Sequence, residues 1–186
     1  LMKHRSPPYI YVMDEFTETC IKSSLENGYA LNRDKFFDQI SESTAEFMFL
    51  ESAWKGNNGS WTGAMTYETP DHSQRTALEF AIQAAQKRGI KVVFYNKEDP
   101  LHFDKFLPIA EAADVVFSSD EASISSYKKK FPDKLVKVLK FAAPEKLCNP
   151  NGAPSFEERG SVAFAGGYYS DNHDDRNKQM KVVLPA

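Results

Sequence analysis

Cysteine is scarce in this 186-residue sequence: only Cys20 and Cys148 occur. No C-x-x-C pair or Cys/His run has ligand spacing, which argues against a structural zinc site. Two free thiols in a reducing compartment is the simpler reading, with a disulfide between them left open. No apolar run approaches the ~20 residues of a membrane-spanning helix. The first residues lack the apolar core of a signal peptide, so a cytoplasmic location is expected. No G-x-G-x-x-G follows the first strand-like run, so the dinucleotide fingerprint is missing. The absence of a Walker A sequence argues against an NTPase, and the absence of G-x-S-x-G against an α/β-hydrolase. An excess of positive charge is also lacking. The net charge is −3, so no global field favours nucleic acid, and an acidic substrate would need local cations.

What is present is the composition of an ordinary globular protein, 41% hydrophobic and 26% charged, at a length that suits one domain or one domain plus a fragment. Apolar runs at 9–13, 47–51, 91–95, 114–118 and 135–141 read as strands. Between them, 17–27 reads as a loop or short helix. Asn32 caps a predicted helix from Arg33 to Ile40, with Phe36, Phe37 and Ile40 on one face. Asp71 caps another that reaches about Arg88 and stops at Gly89. Further helices are predicted over 101–113 and 121–130. This alternation predicts an α/β domain, a Rossmann-like doubly wound parallel sheet, over residues 1–142. Pro and Gly residues mark 143–160 as a linker. Residues 161–186 then read as the start of a second domain or a C-terminal extension, with a strand at 161–165 and a helix at 176–183.

Most strand-like runs end in a polar cluster, and in a parallel sheet those ends share the edge where ligands bind. Asp14-Glu15 follows the first run and reads either as a solvated pair or as part of a cleft. Glu51-Ser52-Ala53-Trp54-Lys55-Gly56-Asn57-Asn58-Gly59 joins a carboxylate, an indole, an ammonium and amides. A sugar-like ligand needs that apolar face and polar rim, although Asn57-Asn58-Gly59 also suits a tight turn. Asn96-Lys97-Glu98-Asp99-Pro100-Leu101-His102-Phe103 gathers an amide, an ammonium, two carboxylates and an imidazole. Either Asp99 caps a helix opened by Pro100 and Lys97 pairs with Glu98, or Glu98 or His102 is a general base. Gly166-Gly167 after Phe164-Ala165 is a turn, or lets backbone approach a phosphate. His4, His72 and His173 read as surface residues; His173-Asp174-Asp175 is a weak chelating pattern in a polar tail, and no metal site is expected. Lys128-Lys129-Lys130 reads as a solvated helix end, with peripheral contact to anionic lipid as the alternative.

Four segments together resemble the CgeB-type spore-maturation and related bacterial glycosyltransferase family. They are Glu51 to Gly59, Asn96 to Phe103, Phe141-Ala142-Ala143 and Phe164 to Tyr169; the first two are specific in combination, and the resemblance spans residues 9 to about 180. It implies the N-terminal half of a GT-B fold, in which two Rossmann-like domains face a cleft. Residues 1–142 would be the acceptor-side domain. The nucleotide-sugar would be a co-substrate held by a C-terminal domain of which this chain has only the opening, so the chain alone is expected to be incomplete for catalysis. The resemblance implies transfer of sugar to a hydroxyl acceptor in cell-envelope or spore-surface glycan, without a cofactor or metal. Glu98, Asp99 or His102 would serve catalysis. Asp14, Glu51, Trp54, Lys55, Asn57, Asn96 and Lys97 would bind acceptor or shape the cleft, and Gly166 and Gly167 would start the donor-phosphate loop. A peripheral location at the inner face of the membrane, and a homodimer through the 54–61 loop or through a bare interdomain face, are compatible with that reading. The alternative is a non-catalytic module that binds glycan or protein. A receiver-like domain is disfavoured, because the third strand ends in Glu51 rather than an acceptor Asp and Phe141-Ala142-Ala143 offers no Lys after the fifth.

Overall fold

The computed structural model describes residues 7–66, 73–149, 151 and 174–183. The chain separates into two compact units, Leu1–Asn149 and Pro150–Ala186. In the first unit β1 (Tyr9–Val12), α1 (Glu15–Lys22), β2 (Gly28–Ala30), α2 (Phe36–Glu42) and β3 (Phe47–Glu51) lead to a long loop. Then come α3 (Ser73–Lys87), β4 (Lys91–Asn96), α4 (Phe103–Ala112), β5 (Val115–Ser118), α5 (Ser123–Lys130) and β6 (Leu135–Val138). The six strands form one sheet in the order β2-β1-β3-β4-β5-β6, parallel at every pair. This is an α/β, Rossmann-like architecture. Its order reverses between β1 and β3, as in flavodoxin-like sheets.

The central strands are apolar at nearly every position because both sheet faces are covered. In register, Val12, Leu50, Phe94, Val116 and Val136 form one row across the sheet. That row joins Ile40 of α2, Leu78, Ala81, Ile82 and Ala85 of α3, Phe106 and Ile109 of α4, and Tyr127 of α5 in the larger core. On the opposite face Tyr9, Tyr11, Met13, Phe49 and Tyr95 form a second cluster with Ile21 and Leu25, from α1 and the turn after it. Helices therefore lie on both faces, α1 on one and α2 to α5 on the other, as a doubly wound sheet requires.

Several boundaries differ from those read in the sequence. β2 was not expected; it is three residues long, at the sheet edge, and too short to show a period. Asn32 does not cap α2. Its Oδ1 accepts the Asp34 N–H at 2.9 Å, forming an Asx turn that delays the helix to Phe36. Phe37 consequently faces solvent at 67% exposure while Ile40 is buried. Leu78, Ile82 and Ala85 do face the core, and Gly89, at φ +77°, ends the α3 segment. Asp71 lies outside the described residues. Part of the expected linker belongs to the first unit, where Leu147 and Cys148 donate to the Pro144 carbonyl and Lys146 pairs with Glu26. In the second unit α6 (Asp174–Val183) is described, whereas the expected strand at 161–165 and Gly166 and Gly167 lie outside the described residues. Among the described residues, no helix is long and apolar enough to cross a membrane.

Gly28 is required by packing. A Cβ there would overlap the ring of Tyr9, which is fully buried, stacks on Phe47 at 5.2 Å and donates its hydroxyl to the Leu25 carbonyl. Gly28→Ala is expected to lower stability by about 1–3 kcal/mol through overpacking, read as a lower urea midpoint with unchanged m-value.

Candidate functional site

The carboxyl ends of β1, β3 and β4 meet at the point where strand order reverses. Glu51, the last residue of β3, has no exposed surface. Its Oε2 accepts the Asp14 N–H at 2.8 Å, and its Oε1 accepts the Thr17 hydroxyl at 2.6 Å and pairs closely with Lys97 Nζ. Lys97 Nζ is also 3.5 Å from Asp14 Oδ2. Burial pushes the Glu51 carboxyl above its ordinary value, against the opposing pull of Lys97, Thr17 and the Asp14 N–H. Burial alone would lower Lys97, but the charge of Glu51, with those of Asp14 and Glu98, holds it above the ordinary lysine value. Two carboxylates thus share one ammonium that has little contact with water.

Asp14 does not cap its own helix. Its carboxylate reaches across to the loop after β3 and accepts the N–H of Trp54 at 3.0 Å, Lys55 at 3.1 Å and Gly56 at 2.8 Å. Burial would raise this carboxyl, but the three backbone donors and Lys97 outweigh it and hold it below the usual carboxylate range. Gly56 allows the loop to pass, since its φ is +58° and a Cβ would press on Val12 and Trp61. Asn57 and Asn58 continue the left-handed backbone at φ +44° and +59°, a conformation Asn tolerates better than most residues. The Asn57 amide is consumed internally. Oδ1 accepts the Met13 N–H at 3.1 Å, and Nδ2 donates to the Tyr11 and Leu31 carbonyls, both at 2.9 Å. Trp61, fully buried, donates to the same Leu31 carbonyl at 2.8 Å.

A second network lies between β4, β5 and α5. Asn96, also fully buried, donates to Asp99 Oδ1 at 2.8 Å and to the Tyr127 hydroxyl at 2.9 Å. Asp99 Oδ2 accepts from Ser118 Oγ at 2.6 Å. Burial raises the Asp99 carboxyl despite the Ser118 and Tyr127 hydroxyls. Asp99 is therefore no helix cap. α4 begins four residues later, at Phe103 with His102 before it, because the Asp99 side chain turns inward to meet these donors.

The expected site residues fall into two groups. Asn57 and Asn96, expected to contact ligand, and Asp99, expected to serve catalysis, spend their polar atoms on the protein itself. Glu51 shapes the edge but is sealed from solvent; Lys97 is mostly engaged with it, and the Asp14 carboxylate with the backbone of Trp54, Lys55 and Gly56. Trp54 and Lys55 are exposed, and Glu98 and His102 are half-buried. Trp54 is 37% exposed, with His102 edge-on at 5.2 Å, Phe106 edge-on at 5.4 Å and Lys105 Nζ 5.6 Å from its ring centre. Glu98 accepts the His102 N–H through its main chain at 3.0 Å; its carboxylate has no hydrogen bond or ion pair among the described residues. Thr17 and Tyr127 were missed in the sequence, where a lone hydroxyl on a helix gives no signal, whereas Ser118 belongs to the polar cluster Ser118-Ser119-Asp120 that ends its strand-like run. Among the described residues, no group of three or more His, Cys, Asp or Glu is placed to hold a metal ion.

Removing Lys97 leaves a charge buried without its counter-ion. Lys97→Met is expected to lose about 3–5 kcal/mol of stability at neutral pH. Because the folded-state Glu51 carboxyl lies above its unfolded value, stability of this variant should recover as pH falls through that folded value; urea titrations across pH check it. Asp14 has the opposite sign. Its depressed carboxyl adds stability above the unfolded carboxylate value, and this is lost as pH falls through the folded one. Asp14→Asn should therefore cost about 1–3 kcal/mol at neutral pH and less in acid. Hydrogen exchange should quicken at the amides of Trp54, Lys55 and Gly56.

No family model and no curated protein matches the chain. Among solved structures it is similar to the solution NMR structure of a de novo designed Rossmann 2x3 fold protein, with 13% identity and a TM-score of 0.32 over 73% of this chain and 79% of that one. The fold assignment stands on the strand order and register of the sheet itself.

Proposed function

We propose that this chain is the acceptor-side domain of a GT-B-like glycosyltransferase, as its resemblance to CgeB-type proteins implies. The observation that carries this reading is the exposed Trp54. Asp14 holds its backbone at the carboxyl edge of the sheet, and it stands edge-on to His102, four residues beyond the unbonded carboxylate of Glu98. A sugar ring offers C–H faces that pack on an indole and hydroxyls that bond to carboxylate, imidazole and ammonium groups. Trp54, Glu98, His102 and Lys55 supply that set on one edge.

In the proposed reaction the acceptor oxygen forms a bond to the anomeric carbon of a nucleotide-sugar. The bond from that carbon to the phosphate oxygen breaks, the nucleotide leaves, and the hydroxyl proton passes to Glu98 or, alternatively, His102. Glu98 is the stronger candidate because Asp99 is already saturated by Asn96, Ser118 and Tyr127. The donor would be presented by a second domain, since productive transfer requires both substrates to be fixed together.

Tryptophan fluorescence tests the binding half of this proposal. Trp61 is buried and hydrogen-bonded, so a ligand-dependent change reports Trp54. An acceptor glycan should shift the emission without nucleotide, and Trp54→Phe should abolish the response. A response to nucleotide alone, or to none of a panel of envelope glycans, would overturn the acceptor assignment. In an enzyme with both domains, Glu98→Gln should keep glycan binding and lower turnover about 10²–10⁴-fold. Binding with no turnover in either protein would instead indicate a non-catalytic glycan-binding module.

A further inference from the structure

The outer flank of the sheet, from α5 and β6 to Phe141 edge-on to Tyr95 at 6.2 Å, has a charge and apolar pattern of its own. Between Lys128 and Lys146 the sequence carries seven lysines against two acids, Asp133 and Glu145, in a chain whose net charge is −3. Three of those lysines have internal work. Lys134 Nζ donates to the Ala110 and Glu111 carbonyls at the end of α4, both at 2.6 Å. Lys146 pairs with Glu26, and Lys140 lies 3.8 Å from Glu121. Lys128, Lys129, Lys130 and Lys137 remain exposed, with no acidic partner among the described residues.

Exposed aliphatic and aromatic side chains interleave with these cations. Leu135 is 51% exposed, Leu139 42% and Phe141 59%. β6 is an edge strand whose described pairing is with β5 alone. Its outer side and α5 enclose a shallow hollow of about 580 Å³, lined by Lys128 and Lys137, with Ile124, Ser125 and Val138 between them and Glu121 also present. Cations therefore come from both walls of one hollow at the sheet edge, while Leu135 and Leu139, alternating with the core residue Val136, are exposed on the other face of β6.

We infer that this flank, formed by the end of α5 and by β6 through Phe141, docks on an anionic lipid bilayer. Lysines near an anionic surface are drawn to lipid headgroups, each adding roughly fivefold to partitioning. Leu135, Leu139 and Phe141 can then enter the headgroup boundary, where apolar area adds attraction that salt does not screen. Pairing with the edge of a second copy is opposed by Lys137 and Lys140, which charge that edge. Nucleic acid would use the lysines but gain little from the aliphatic Leu135 and Leu139.

Vesicle co-sedimentation of the full chain tests this inference independently of any glycosyltransferase activity. Binding is expected to phosphatidylcholine vesicles containing about 30% phosphatidylglycerol, and not to phosphatidylcholine alone. It should weaken strongly at about 1 M salt, where the screening length is about 3 Å. Replacing Lys128, Lys129, Lys130 and Lys137 by Gln should reduce partitioning about 100-fold or more. Leu139→Ser with Phe141→Ser should remove the salt-resistant remainder while leaving the far-UV circular dichroism unchanged. Equal binding to both vesicle types, or binding to neither, would overturn the inference. So would retention of binding in the glutamine variant, or tighter binding to a single-stranded oligonucleotide than to the anionic vesicles in the same buffer.

Discussion

Glu51 ends the central strand β3 with no exposed surface, and an ionised carboxylate in that position is tolerated only when it is paired and its lone pairs are met. The elements around it are placed so as to meet them. α1 supplies the Thr17 hydroxyl, the first turn after β1 supplies the Asp14 N–H, and the residue after β4 supplies the Lys97 ammonium. Two segments distant from it in sequence, residues 14–17 and Lys97, are thereby tied to one oxygen pair at the reversal of strand order. Replacing that group with an apolar side chain would remove the reason for the others to converge.

Asp14 extends the constraint outward. Because its carboxylate collects three successive backbone N–H groups from Trp54 to Gly56, the loop after β3 leaves the sheet in a single direction. Gly56 and the left-handed Asn57 and Asn58 then turn it back, and Asn57 stitches it to β1 and to the residue after β2. On the other side of the sheet Asn96 anchors Asp99 and Tyr127. Strand pleating separates the two networks: Glu51 stands in register with Tyr95, on the face of α1, while its neighbour Leu50 and the next-row residue Phe94 belong to the larger core. The outcome is a saturated platform from which Trp54, Lys55, Glu98 and His102 project with polar groups still to offer. Saturated groups give rigidity and unsaturated ones give chemistry, which is what the proposed acceptor site would require of this edge.

The motif at 51–59 illustrates how far residue type alone can be trusted. Its density of Glu, Trp, Lys and Asn suggests ligand contact throughout, yet Glu51, Gly56 and Asn57 serve the loop's own geometry. A carboxylate that binds a ligand and one that caps a distant loop look alike in a sequence, because the backbone donors they meet carry no letter. Lys97 shows the same limit: it reads either as a partner of the adjacent Glu98 or as a ligand-binding group, and the pleat and the buried charge of Glu51 direct it across to the neighbouring strand.

Apolar runs and their spacing determined by themselves that this protein alternates strands and helices, that its sheet is parallel and buried on both faces, and that polar clusters gather at one sheet edge. These are local or periodic properties, set by side-chain hydrophobicity and backbone propensity over a few residues. The tertiary structure alone decided the place of the three-residue β2, whose pairing with β1 makes the order reverse at β3. It also decided which polar residues are spent. Partner choice for Asp14, Glu51, Lys97 and Asp99 depends on which strand ends lie side by side, on burial that makes an unpaired charge costly, and on hydroxyls and amides brought from elsewhere in the chain. Those are long-range facts, and no short stretch of sequence encodes them.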